Sequence, residues 1–199
     1  MIDKIYFKNI FHHLHTIHTH RKWVRHYCFM FGLYKQGLFH DLSKYSPTEF
    51  WESVKYYQGT SSPIDACKKA NGYSMAWFHH RGRNKHHYEY WCDNFDKGTI
   101  TSNLMPYNYF VEMFCDFLAA GRAYMGKDFT FDGEHKWWLS KREHCAMNKK
   151  QIKMLDFIFF TLATDEKIGG TKYVEKKLKY TKDFILKQPY DYFSKQEDN

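Results

Sequence analysis

No stretch of this sequence is both long and apolar enough to span a bilayer. The most hydrophobic one, Met154 to Ala163, is short and carries Asp156. It reads as a buried core helix, and no membrane role follows. The N-terminal MIDKIYFKNIFHHLH has neither a long apolar core nor a small-residue cleavage site, so a signal peptide is not expected. The five cysteines, Cys28, Cys67, Cys92, Cys115 and Cys145, are odd in number and form no Cys-x-x-Cys pair. That argues against a disulfide framework and for reduced thiols in a cytoplasmic protein, most of them small core residues. Repeats, low-complexity tracts and Pro/Gly/Ser-rich linkers are also missing, which leaves residues 1–199 as one domain with enough chain to bury a core. Nor is there a continuous Lys/Arg stripe. The excess of 30 Lys and Arg over 22 Asp and Glu is a modest positive field. It favours an anionic small molecule such as a nucleotide, with nucleic acid the weaker candidate. The Lys-rich segment Lys167 to Lys187 reads as solvated helix faces.

What the chain does have is aromatic residues, histidines and clear helix punctuation. A first helix is expected from about Lys4 to Phe31, stopping at Gly32. Ser46-Pro47-Thr48-Glu49 is a strong N-terminal signature: Ser46 caps, Pro47 suits the first helical position, and Glu49 can reach back to the cap's amide. Ser62-Pro63-Ile64-Asp65 nearly repeats it and opens a helix running towards Trp77. Pro106 opens another that ends at Gly126, and two more lie on either side of Gly169-Gly170. The fold class expected is all-α, with one small β-hairpin possible over residues 88–104 around an Asp96-Lys97-Gly98 turn.

The 13 histidines are clustered. His12, His13, His15, His18 and His20 share the first helix, His40 is followed by Asp41, and His79-His80 and His86-His87 bracket the basic loop RGRNK. For a single histidine, packing or solvation is explanation enough. His26, His135 and His144 have nothing near them in sequence that says more. Asp116 changes the weighing. On a helix, Glu112, Asp116, Ala119, Ala120 and Ala123 share one face, and the remaining positions are bulky and apolar. A buried carboxylate needs a cationic partner. Arg122 would supply a structural ion pair; a divalent metal would serve too, with the small alanines leaving room for a ligand. His40-Asp41, between Phe39 and Leu42, is a second polar site in apolar company. Imidazole with carboxylate suits Mn, Fe, Ni, Co or Zn better than Mg.

Histidine on an early helix, then GLFHDLSK, then further histidines, then an aspartate on a later helix, resembles the ligand order of the HD superfamily. A nearer likeness, over about two thirds of the chain, is to small bacterial and phage proteins with HDLSKYSPTEF and a downstream HHRGRNKHHYEYW. The resemblance implies an all-α HD-like fold that binds one or two divalent metals. Its central pair is His40 and Asp41, its late aspartate is Asp116, and its first histidine is His20, with His13 and His18 as rivals. His80 and His87 would be additional ligands, with His79 and His86 close behind. If these contribute, the site holds two metals; if not, His20, His40, Asp41 and Asp116 form a mononuclear site.

Most HD members are phosphohydrolases, so the resemblance implies metal-dependent hydrolysis of a nucleotide or other phosphoester. Asp41 would act at the reacting centre, and Lys44, Arg81, Arg83 and Lys85 would hold phosphate oxygens. Tyr88, Tyr90 and Trp91 would stack on a base or simply pack. Two alternatives are a di-iron oxygenase on the same ligands, and a non-enzymatic nucleic-acid or partner-binding protein with a structural metal.

Overall fold

The computed structural model describes residues 4–93, 98 and 100–196. The first helix, α1 (Lys4–Met30), ends where expected: Gly32 takes a positive φ of 79°. Its buried positions, His13, Ile17, His20, Val24 and Tyr27, recur every three or four residues and form one stripe. That stripe packs along α6 (Tyr107–Met125), which is apolar nearly all round and therefore central. Phe110, Val111, Phe114, Cys115 and Leu118 of α6 are fully buried.

Between these two helices lie α2 (Tyr34–Phe39), a 3-10 turn (Leu42–Tyr45), α3 (Pro47–Lys55), α4 (Pro63–Asn71) and α5 (Met75–Arg81). Ser46 caps α3 by accepting from the Glu49 amide, and Pro47 occupies its first turn. The single helix expected from Ser62 towards Trp77 is two. Gly72 ends α4 with a φ of 81°, and Ser74 caps α5 by accepting from the Trp77 amide at 3.0 Å. Glu52 completes that start, accepting from Ser74 Oγ at 2.5 Å and from the amides of Met75 and Ala76 at 3.1 and 3.0 Å. The hairpin expected near residues 88–104 reduces to one antiparallel bridge, Cys92 with Ser102, and Tyr88–Trp91 is a 3-10 turn. Asn103 N still donates across to Trp91 O at 3.0 Å, but Ser102 N turns away to Ala146 O at 2.7 Å, so no ladder continues. Asp96 and Lys97 of the expected turn lie outside the described residues.

The C-terminal third is α7 (Phe131–Lys141), α8 (Lys149–Lys182) and α9 (Gln188–Lys195). Helix α7, which carries no Pro or Ser-Pro start in the sequence, is capped by Thr130, whose hydroxyl accepts from Gly133 N. Helix α8 breaks at Gly170 (φ 77°, ψ 172°), matching the interruption expected at Gly169-Gly170. Before that break, Met154, Leu155, Ile158, Phe159 and Leu162 close the core, as expected of a buried helix. Asp156, the carboxylate in that stretch, faces Trp138 Nε1 at 2.6 Å and Arg142 Nη1 at 2.9 Å. Gln151 of α8 clamps Met105 through both its amide and its carbonyl, which fixes the chain just before α6. Among the described residues no helix is long and apolar enough to cross a membrane.

Candidate metal centre

His40 and Asp41 are adjacent, and on a continuous helix they would point about 100° apart. Here the helix stops. His40 caps the C-terminal end of α2 with ψ 130°, and Asp41 takes φ 54°, the left-handed conformation that Asp tolerates better than most residues. Among the described residues Asp41 is the only non-glycine with a positive φ. The reversal turns both side chains inward. Arg21 of α1 holds it: Nε donates to His40 O and Nη2 to Leu38 O, both at 2.9 Å. The Arg21 guanidinium also lies over the Tyr45 ring.

Two donor sets meet at Asp41. On one side, His20 Nε2 and His40 Nε2 lie 3.6 and 3.3 Å from Asp41 Oδ2, and 3.0 and 3.5 Å from Asp116 Oδ1. On the other, His80 Nε2 and His86 Nε2 lie 3.3 and 3.4 Å from Asp41 Oδ1, and His87 belongs to the same group. Four ligands about 2.1 Å from an ion are themselves about 3.4 Å apart, so these spacings suit donors around a common centre. The hydrogen-bond census agrees. The Nε2 atoms of His20, His40, His86 and His87 and Asp41 Oδ1 are buried yet make no hydrogen bond within the described residues. Unpaired buried polar atoms are costly, and a cluster of them calls for a ligand. These buried clusters can hold a metal ion.

Carboxylates behind the imidazoles fix which nitrogen faces inward. Glu112 Oε1 takes Nδ1 of His40 at 3.0 Å and of His86 at 3.3 Å. Glu49 takes Nδ1 of His80 at 2.7 Å and of His79 at 2.6 Å. With Nδ1 engaged in this way, Nε2 of His40, His80 and His86 is the nitrogen turned towards Asp41. Glu49 therefore does not reach back to its own helix cap, as the Ser-Pro-Thr-Glu signature suggested. It is buried at the foot of α5 and orients two histidines.

The electrostatics are strongly coupled. Burial alone would lower the His40 pKa, but the charge of Asp41 and the nearby Asp116 and Glu112 carboxylates outweigh it and hold it well above 6.5. Burial would raise Asp41, yet His40, Lys44 and His80 keep it well below the usual carboxylate range. Asp116 is likewise held low against its burial, by His20 and His40. His87 goes the other way, well below 6.5, through burial and then the charges of His86 and His80. Without an ion the centre thus keeps its carboxylates ionised and His87 neutral, while the proton held on His40 is one that a bound cation would displace.

The sequence-predicted residues divide as follows. His20, His40, Asp41, His80, His87 and Asp116 converge, and His86 joins them as a full member of the second set. Periodicity could have chosen His20: it shares the stripe of Ile17 and Val24, whereas His18 is exposed and packs on Tyr45. His13, also on the stripe, packs against Phe50 and Tyr57 and lines the cavity in front of the centre. Burial, and then the Lys44 charge, push its pKa down to about 4. His79 points to Glu49. Arg122 is not the partner of Asp116; it pairs with Glu175, donates to Tyr27 Oη and lies over the Phe129 ring.

A cavity of about 190 Å³ opens onto the centre, with His13, His20, Lys44, His80, His87 and Asp116 among its walls. Lys44 Nζ lies 2.6 Å from Asp41 Oδ2, and its pKa is held above the ordinary lysine value by Asp41 and Asp116 against the effect of burial. Arg81, Arg83 and Lys85 do not line this cavity: Arg81 lies over Phe78, and Lys85 over Tyr90 and Tyr109. The reason is the turn after α5. Asn84 Nδ2 bonds His80 O at 2.8 Å and Ser43 Oγ at 2.9 Å, which tucks the polar amide inward and leaves the basic side chains outward.

No curated protein and no solved structure matches the chain. One family model does, over residues 9–161, a span that contains every donor named above. The chain therefore belongs to the family of unknown function DUF5662.

Proposed function

We propose that this protein is a metal-dependent phosphohydrolase acting on a nucleotide or other phosphoester, in keeping with its resemblance to the HD superfamily. The observation that carries the reading is Asp41, whose two carboxylate oxygens face two separate sets of imidazoles. Such a carboxylate suits two divalent ions side by side, with Mn, Fe, Co, Ni or Zn preferred over Mg by the number of nitrogen donors. When bound, ions of this kind polarise a phosphoryl oxygen and supply hydroxide near neutral pH.

The chain's own residues supply the rest. Lys44 presents a permanent positive charge on the cavity wall, placed to hold a non-bridging phosphate oxygen. His13 is neutral at pH 7, and its Nδ1, buried without a partner, accepts a hydrogen bond from the substrate. Ile17, Ala76, Ala120 and Ala123 keep the cavity narrow and limit bulk water. In hydrolysis the oxygen of water adds to phosphorus, the P–O ester bond breaks, and the leaving alcohol takes a proton. The free cysteines fit a reducing, cytoplasmic setting.

The test is phosphate release from nucleotides, cyclic dinucleotides and an aryl phosphate by protein loaded with Mn, Co or Ni. Release that disappears in Asp41→Ala supports the reading. No release from any of them, or release undiminished by that substitution, overturns it. Iron content with an oxygen-dependent visible band, and no phosphate release, would instead mark the oxygenase alternative.

A further inference from the structure

Beside the metal-facing cavity lies a second one of about 470 Å³, within the range of small-molecule sites, about 300–1,000 Å³. The two share Ser62, Ala120 and Tyr124 as walls. Ala120, with its small side chain, is one helical turn beyond Asp116 on α6 and forms part of the wall common to both. Gly121, the next residue, is five positions from Asp116, about 7.5 Å along the helix at 1.5 Å per residue.

At Gly121 the second cavity contains an unexplained group. The Glu134 side chain of α7 lies against the Gly121 backbone so closely that a Cβ there would sit 1.8 Å from Glu134 Oε1. Glu134 is only 7% exposed and lines the cavity, and its carboxyl makes no hydrogen bond or ion pair within the described residues. Arg122, whose charge opposes the effect of its burial, is engaged by Glu175. A carboxyl so placed is costly unless something in the cavity pairs with it. The neighbouring walls are flat and aromatic: Phe117, Tyr124 and the 39%-exposed Trp137.

We propose that this second cavity binds a planar nitrogen heterocycle of the nucleobase kind, with an N–H edge donating to the Glu134 carboxyl and its face against Trp137. The inference rests on the phosphohydrolase reading for its context, since a sugar would bridge the separation between Glu134 and the metal-facing cavity. It assigns the specificity of the site to α7 rather than to Tyr88, Tyr90 and Trp91. N–H groups on base edges and aromatic stacking are the ordinary means of holding an unpaired base.

The experiment uses free nucleosides, which carry no phosphate and so test this cavity apart from the metal centre. Titration calorimetry of the full-length protein with adenosine, guanosine, cytidine and uridine should give saturable binding for at least one. Glu134→Leu, similar in size and free of the buried polar group, should weaken it about tenfold or more, and Trp137→Ala should do likewise. Glu134→Gln, whose amide oxygen still accepts, should stay within a few-fold of the parent. Melting curves confirm that each variant is folded. No saturable binding by any nucleoside, or binding unchanged in both Glu134→Leu and Trp137→Ala, overturns the proposal. Phosphate release without nucleoside binding would overturn it while leaving the hydrolase reading standing; nucleoside binding without phosphate release would do the reverse.

Discussion

Glu112 Oε1 lies 3.0 Å from Nδ1 of His40, a contact made across 72 positions of chain by two buried side chains. Its effect is to hold Nδ1 of His40 and turn Nε2 towards Asp41, and the same oxygen does so again for His86 at 3.3 Å. Burial would raise the Glu112 pKa, but the two imidazoles outweigh it and hold the group below its usual value, so it acts as an ionised acceptor.

Removing that acceptor should loosen metal binding without abolishing the centre. Glu112→Gln keeps the volume and one acceptor oxygen but loses the charge. The expected result is metal affinity reduced about 10–100-fold, with normal stoichiometry at saturating ion. Competition against a fluorescent chelator measures it. An unchanged affinity would show that Glu112 has no influence on the donors in front of it.

Much of the helical framework was legible because its signals are local. Gly32, Ser46-Pro47, Pro106 and Gly170 each dictate a stop, a start or a break through their own backbone or side-chain chemistry. What needed the third dimension was the use of side chains between elements. Glu49 in a cap signature is locally indistinguishable from a residue that reaches back to its own helix; only the packing of α5 against α3 gives it His79 and His80. Glu112 was on the face of Asp116, but nothing in its neighbours along the chain foretold His40. The RGRNK loop misled because charge was read without direction, and Asn84, the one uncharged residue between its arginines and Lys85, sets that direction.

Asp41 combines two properties that substitution can separate: a carboxylate and a left-handed backbone. Asp41→Asn retains a side chain that tolerates φ 54° and one carbonyl oxygen, but loses the charge both donor sets share. Metal measured by elemental analysis should fall to trace levels. The parent should gain about 2.7 kcal/mol of stability when free ion reaches 100 times its dissociation constant, and Asp41→Asn should gain almost none. A full metal complement in Asp41→Asn would exclude Asp41 from the coordination sphere.

Arg21 supports the same reversal from outside. It makes no contact with the donor atoms, but its guanidinium satisfies the carbonyls of Leu38 and His40 at 2.9 Å each. Arg21→Ala leaves both carbonyls without that partner and should cost about 1–3 kcal/mol in urea unfolding. Arg21→Lys cannot reproduce the two-pronged contact and should recover only part of the loss. Because the reversal aims His40 and Asp41, both variants should also bind metal more weakly. A stability loss with metal affinity intact would confine Arg21 to the fold.

Glu134 gives the protein a pH dependence of unusual sign. Burial, opposed only weakly by Arg122, pushes its pKa up from 4.5 to about 8 in the folded state. Between those two values the unfolded chain has released the proton and the folded chain still holds it, so raising the pH favours unfolding. The contribution falls by at most about 1.4 kcal/mol per pH unit and levels off above pH 8, where both states are ionised. Other carboxylates titrate in the same range, so the quantity to measure is a difference. Urea unfolding of the parent and of Glu134→Gln, compared from pH 4 to pH 9, should give curves that start together and diverge. Glu134→Gln should be the more stable by a few kcal/mol above pH 8. Parallel curves across the range would place the Glu134 carboxyl in water. A nucleoside that donates an N–H to that carboxyl should change the divergence, which links this stability measurement to the binding test of the second cavity.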